Sequence, residues 1–350
     1  MRRLFVFLLL LGSAAAQQAP FFHIQPVRPV AELRKEALAA QPPFEIGDFY
    51  QPELIELVTL DPSIKLDIRY ASSSNFLSTP MYDQARAFLQ KPAAEALVRA
   101  SEELHAQGYG LLIHDGYRPW YVTKMFWDAT PPDKHEFVAD PAKGSHHNRG
   151  CAVDLTLYDL KTGKAVPMPG QYDEMSERSY PTYKGGTEEE RRNRETLRAA
   201  MEKQGFTVYE FEWWHFDYKD WKHYPIMNVE FSQIPDPKFP KNPRSGIVEY
   251  EGHKYKRAKP VFTPDAEYSE QARRAKVSGT VVTWVFIGSD GKVKQAIVSK
   301  SAGYGLDENA LHTIMGWKFM PAQRDGAEIP SMVTVESKFQ LSTAPGHMRP

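Results

Sequence analysis

The sequence predicts an α+β fold in two units, and three observations carry that reading. Apolar residues recur at helical spacing in some stretches and alternate in others, without the regular strand–helix–strand rhythm of a parallel sheet. Four prolines, Pro235, Pro237, Pro240 and Pro243, then fall within nine residues. Neither a helix nor a central strand continues through such a run, so 235–245 reads as a stiff linker. Beyond it, over 246–342, strand and helix signals begin afresh.

Taken in order, residues 1–16 have the make-up of a secretory signal. Arg2 and Arg3 precede the apolar run from Leu4 to Leu11, and Ala14, Ala15 and Ala16 offer a cleavage site. The run is well short of the roughly 20 residues that cross a bilayer. A retained anchor is the alternative. Cleavage after Ala16 leaves an exported, periplasmic chain with no transmembrane span. Residues 17–43, rich in Pro, Ala and Gln, read as an extended lead-in to a compact body over 44–234. In that body 92–107 has helical spacing, with Ala94, Leu97, Ala100 and Leu104 on one stripe and Gly108 as its stop. Residues 109–114 read as a buried strand, turned by Asp115-Gly116. Residues 152–157 alternate, with Ala152, Asp154 and Thr156 on one face and Val153, Leu155 and Leu157 on the other. A charged helix over 189–204 turns Leu197, Ala200 and Met201 inward. In the second unit, helices are expected over 265–276 and 306–317. Strands are expected over 280–287, 292–299 and 331–340, the first two joined by a hairpin at Gly288-Ser289-Asp290-Gly291.

Composition excludes some partners. Lys plus Arg number 43 against 44 Asp plus Glu, so no basic field draws nucleic acid to the chain. A single cysteine, Cys151, cannot form an internal disulfide and reads as a small buried hydrophobe.

Two segments carry chemistry. The first is Gly144-Ser145-His146-His147-Asn148-Arg149-Gly150-Cys151-Ala152-Val153-Asp154, and the second is Phe211-Glu212-Trp213-Trp214-His215-Phe216. A catalytic zinc takes three N/O ligands and keeps one position open for water. Two histidines and an aspartate supply that set, and Glu212 stands three residues before His215, within reach of the water. On a regular strand Glu212 and His215 would face opposite ways, so an irregularity at Trp213-Trp214 is expected. An isolated histidine is more often structural than a ligand, and Glu-Trp-Trp-His also fits an aromatic core segment. From the residues alone both readings stand.

The pattern of Ser145, His147, Gly150, Ala152 and Asp154, followed by Glu212 and His215, resembles the zinc signature of the D-alanyl-D-alanine dipeptidases, the family of the vancomycin-resistance dipeptidase. Asp115-Gly116-Tyr117-Arg118-Pro119 resembles that family's arginine motif, and the stretch from Asp173 to Ser179 its substrate loop. The likeness runs from about Phe49 to Phe231. It implies a hedgehog/D,D-peptidase-like domain with an antiparallel sheet and flanking helices. It implies one zinc per chain on His147, Asp154 and His215, with His146 displaced by the seven-residue spacing to the aspartate. It further implies Glu212 as acid/base, Arg118 at the oxyanion, and Asp173 and Ser145 in substrate binding. The substrate is then a small dipeptide, D-Ala-D-Ala. The alternatives are a zinc D,D-carboxypeptidase acting on peptidoglycan stem peptides and, in a different class, an inactive zinc domain in a binding protein. Arg118 beside Pro119 and Trp120 also fits a structural stacking role.

After the linker, Tyr268–Arg273, Gly279–Val282, Ser289–Val293 and Trp317–Ala322 resemble the C-terminal domain of TonB energy transducers, over about 80 residues. The resemblance implies a small α+β module that binds a protein or cell-envelope partner. Every expected catalytic residue precedes the linker, so the body is expected to fold and work without its neighbour when the chain ends near Gln233.

Overall fold

The computed structural model describes residues 21–239 and 247–341. The expected signal at 1–16 and the linker beyond residue 239 lie outside the described residues.

The lead-in is not extended throughout. Helix α1 (Val30–Ala39) starts directly after Pro29 and buries Leu33 and Ala37 completely. Those two residues are one turn apart on a single face, which is what lets so short a helix dock on the body. Arg28 ties down the outer face by two hydrogen bonds to Glu36, at 2.6 and 2.9 Å. The Pro, Ala and Gln content of 17–43 concealed this spacing.

In the body, β1 (Leu54–Glu56) is followed by a one-turn α2 (Leu57–Leu60) and a short β2 (Lys65–Leu66). Strand β3 (Phe88–Gln90) pairs antiparallel with β1 and leads into α3 (Lys91–His105), with Pro92 at its tolerated N-terminal position. Then come β4 (Tyr109–Asp115), α4 (Trp120–Ala129), β5 (Ala152–Asp159), α5 (Glu188–Lys203), β6 (Phe206–Tyr209) and β7 (Glu212–Tyr218). Helix α5 is fixed at both ends. Thr187 and Glu190 form a reciprocal capping box, three glutamates occupy the first turn, and Gly205 at φ 88° lets the chain leave.

These strands form a sheet in the order β2-β4-β5-β7-β6, antiparallel except for the β2–β4 pair. Val153, Leu155 and Leu157 are fully buried on one face of β5. The register across the centre sets Asp115 beside Asp154 and Asp154 beside His215. One row across three strands therefore carries three of the polar groups that matter. The expected irregularity in β7 is present. Val208 pairs with Phe216 while Tyr209 pairs with Glu212, so 213–215 bulge out of register.

The second unit contains β8 (Ile247–Tyr250), β9 (His253–Lys256), β10 (Lys259–Phe262), α6 (Glu270–Ala275), β11 (Gly279–Ile287), β12 (Val293–Lys300), α7 (Leu306–Met315), β13 (Lys318–Met320), β14 (Ala322–Arg324), β15 (Ala327–Ile329) and β16 (Ser331–Phe339). Strands β12, β11 and β16 make an antiparallel sheet in that order. Helix α6 is shorter than its periodicity suggests, because Ser269 caps it by accepting the Ala272 N–H at 3.0 Å.

The sheet is covered on both faces. Val285 and Ile287 pack with Ile314 of α7, whereas Trp284, Phe286 and Ile297 join the same buried cluster as the body. The two units thus share apolar core across the linker.

Candidate active site

A cleft of about 210 Å³ opens beside the paired strands β5 and β7 of the body, and all seven residues singled out by sequence line it: Arg118, Ser145, His147, Asp154, Asp173, Glu212 and His215. Asp154 and His215 arrive from paired positions on β5 and β7. His147 arrives from a short 3₁₀ turn, His146–Arg149, which Ser145 and Asn148 cap reciprocally. Gly150 ends that turn at φ 68°, and a side chain there would strike Leu54.

His147, Asp154 and His215 offer ligand atoms within 4.8 Å of one another. His147 Nε2 lies 3.0 Å from His215 Nδ1 and 3.2 Å from Asp154 Oδ1, and His215 Nδ1 lies 3.0 Å from the same oxygen. The outward nitrogens fix which atoms carry protons. His147 Nδ1 donates to the Gly116 carbonyl at 2.7 Å, and His215 Nε2 donates to Asp217 Oδ1 at 2.9 Å. With both N–H groups turned outward, two imidazole lone pairs and a carboxylate oxygen face one point with no donor among them. Such a trio needs a cation, and backbone and carboxylate support of the outer nitrogens is how metal-binding histidines are held. The electrostatics agree. Without a metal ion a proton stands in for the cation: burial opposes charge on His215, yet Asp217 and Asp154 hold its pKa well above the imidazole range. Burial also opposes ionisation of Asp154, but His147 and His215 outweigh it and hold that carboxyl well below the usual range. The site is built for positive charge.

Glu212 lies beside this trio, with Oε2 3.8 Å from His215 Nδ1. The bulge allows the approach. Burial pushes its carboxyl up to about 8, with His215 pulling against the shift and Asp154 and Asp173 adding to it. A carboxyl in that range can exchange a proton near neutral pH.

Arg118 is 7% exposed, lines the cleft and packs against aromatic rings. Its guanidinium lies 4.8 Å from the Phe126 ring centre and 5.3 Å from that of Tyr70. Asp115 Oδ2 accepts its Nε–H at 2.8 Å, and Nη2 stands 3.6 Å from Asp154 Oδ2. Asp115 is itself held by Tyr82 and the Gly116 N–H, so the cation is fixed before any ligand arrives.

Asp173 has the left-handed φ of 62° and accepts from Tyr70 at 2.8 Å. Its other oxygen is buried with no hydrogen-bond partner. Burial pushes this carboxyl up to about 7, against the Tyr70 hydrogen bond and with Asp154 adding to it. Ser145 Oγ accepts the His147 N–H at 3.2 Å. His146 lies outside the trio, stacked on Trp221 at 3.7 Å with Nδ1 2.7 Å from Asp217 Oδ1. Cys151 is fully buried, and burial pushes its thiol far up, which keeps it inert.

Several supports escaped the sequence reading: Asp115 under Arg118, Asp217 behind His215, Tyr172 donating to Asp154 Oδ2 at 2.9 Å, and Tyr70 at Asp173. Asp217 had a weak signal, being two residues from His215 on one strand. The tyrosines had none.

Three convergent lone pairs, an adjacent raised carboxyl and a prepositioned arginine over an antiparallel sheet define a metallopeptidase. Residues 51–235 match the D-ala-D-ala dipeptidase family, and the chain belongs to it. Residues 264–341 match the C-terminal region of Gram-negative bacterial TonB proteins. The D-alanyl-D-alanine dipeptidase of Escherichia coli K12 is 36% identical over 185 residues, which are 53% of this chain and 94% of that protein. The D-alanyl-D-alanine dipeptidase of Enterococcus faecium is 37% identical over 205 residues, 53% of this chain and 98% of that one. Protein TonB of Vibrio cholerae is 32% identical over 75 residues, 21% of this chain and 31% of that protein.

Proposed function

We propose that this protein hydrolyses D-alanyl-D-alanine to D-alanine with one zinc ion held by His147, Asp154 and His215. The observation that carries the proposal is the convergence of three lone pairs on one point, with both imidazole protons committed elsewhere. A zinc ion there supplies Lewis acidity to the scissile carbonyl and makes water nucleophilic at neutral pH. Glu212 takes the proton of the attacking water and delivers it to the leaving amine. Arg118, fixed by Asp115, meets the negative charge that develops on the carbonyl oxygen. The unpartnered oxygen of Asp173 receives the substrate's ammonium, which offsets the cost of burying that carboxylate. Ser145 contacts the substrate through its hydroxyl proton, while one lone pair of the same oxygen accepts the His147 N–H.

The cleft is small beside ligand pockets of roughly 300–1,000 Å³, which favours a dipeptide over a polymeric stem. We assign catalysis to 44–234, a linker to 235–245, and to 246–342 a TonB-like module that contacts a protein or envelope partner. Export to the periplasm accords with the TonB-like match. No helix among the described residues is long and apolar enough to cross a membrane.

The test is incubation with D-Ala-D-Ala, L-Ala-L-Ala and a stem pentapeptide, with and without chelator. D-Ala-D-Ala alone is expected to be cleaved, and only without chelator. Preferential cleavage of the pentapeptide would replace the dipeptidase with a carboxypeptidase. Elemental analysis is expected to give one zinc per chain, lost in His147→Ala, Asp154→Ala and His215→Ala.

A further inference from the structure

The stretch 226–228 runs behind the site and holds two parts of it through the backbone. The first two N–H groups of α4, which no helix can satisfy internally, are taken here. Trp120 N donates to the Met227 carbonyl at 3.1 Å and Tyr121 N to Asn228 Oδ1 at 2.8 Å. Arg118 and Pro119 immediately precede them. Met227 N donates to the Asn148 carbonyl at 2.9 Å, and the Asn148 amide donates to the Arg118 carbonyl and Thr123 Oγ1, both at 2.8 Å. Arg118 N donates to the His147 carbonyl at 3.1 Å. The backbone positions of Arg118 and of the turn bearing His147 therefore depend on where 226–228 lies.

That stretch is gripped from the second unit by one side chain. Gln295 on β12 donates from Nε2 to the Ile226 carbonyl at 2.9 Å, and its Oε1 accepts the Asn228 N–H at 2.8 Å. Bonds to a carbonyl and an N–H two residues apart are what a neighbouring strand would supply. Gln295 is 8% exposed and pairs across the sheet with Phe286, which lies in the shared core. Water therefore has little access to compete for either bond.

We propose that Gln295 is a positioning residue for the dipeptidase reaction, through which the TonB-like unit sets the placement of Arg118. The proposal rests on the function argued above. It makes the second unit part of the catalytic apparatus, besides any partner it engages. A ligand that displaced β12 would slow the reaction without touching the cleft.

The test is Gln295→Met in the full-length chain. The change keeps the volume and removes both bonds. Fold and zinc content are expected to hold. Amide exchange at Trp120, Tyr121 and Met227 should accelerate on the order of tenfold, because the stretch that pairs with them loses both of its side-chain anchors. The kcat for D-Ala-D-Ala should fall on the order of tenfold while KM stays within about twofold, because Arg118 is needed chiefly in the transition state. A purely structural role would lower the melting temperature and leave kcat of the folded enzyme intact, and that result overturns the proposal. If Gln295→Met fails to fold, Gln295→Glu is read in the same way, since it keeps the acceptor for Asn228 and loses only the donor to Ile226. If the wild-type chain does not cleave D-Ala-D-Ala, the dipeptidase reading falls by itself. Exchange at the three amides then decides the brace separately, and unchanged exchange overturns it.

Discussion

Glu212 and Arg118 do different work in the proposed reaction, and substitutions separate them. Glu212→Gln keeps the shape of the side chain and the three metal-facing groups but cannot accept a proton from water. Zinc content should stay at one per chain while hydrolysis of D-Ala-D-Ala becomes undetectable, and near-normal turnover would remove Glu212 from proton transfer. Arg118→Ala should lower kcat about 10²–10³-fold with a smaller change in KM, the loss expected for one preorganised donor to an oxyanion. A change confined to KM would make Arg118 a substrate-binding residue. At this scale the sequence was legible wherever spacing within a motif carried the information, as from His147 to Asp154 and from Glu212 to His215. It was silent on Tyr70, Tyr82 and Tyr172. Their hydroxyls matter only through carboxylates that stand 103, 33 and 18 residues away along the chain.

Strand β7 gathers the most function into the shortest length. Its bulge lets Glu212 approach His215, and its next turn of the pleat sets Asp217 against His215 Nε2. That hydrogen bond favours the tautomer whose Nδ1 lone pair turns toward His147 and Asp154, where the proposed zinc would sit. Asp217→Asn should therefore weaken zinc on the order of 10–100-fold, read by competition with a chelator, while the fold and far-ultraviolet circular dichroism stay as they are. Unchanged affinity would show that the bulge alone orients His215. The irregularity was legible because two residues three apart had to share a face. Helix α1 was missed for the opposite reason: its evidence is only Leu33 and Ala37 at one-turn spacing inside a segment whose composition suggested extension. Helix α6 was overextended because periodicity ran past the cap at Ser269 that starts it.

At the scale of the whole molecule, the prolines suggested a division between two units but not the contacts between them. The signal was present in β11, where Val281-Val282-Thr283-Trp284-Val285-Phe286-Ile287 runs almost without a polar break, as strands do when both faces are buried. A sheet with helices on one face only would alternate. The other face of β11 and β12 lies on the body through Trp284, Phe286 and Ile297, with Gln295 among them. The Escherichia coli relative has little sequence beyond the part that matches this body, since the match covers 94% of it. A chain ending at Gln233 should accordingly fold and take up one zinc, yet not behave as the linker alone would suggest. It uncovers apolar surface around Ile226 and Met227 and leaves the Ile226 carbonyl and Asn228 N–H without Gln295. Its melting temperature should fall on the order of 5–10 °C, from a loss of about 2–3 kcal/mol in a domain of this size. Its kcat should fall on the order of tenfold, matching Gln295→Met, while KM changes little. Calorimetry and steady-state kinetics on the truncated and full-length chains decide between this and full independence. A truncated enzyme with the full-length rate and melting temperature would mean that the shared core is a resting place for the second unit and carries nothing to the active site.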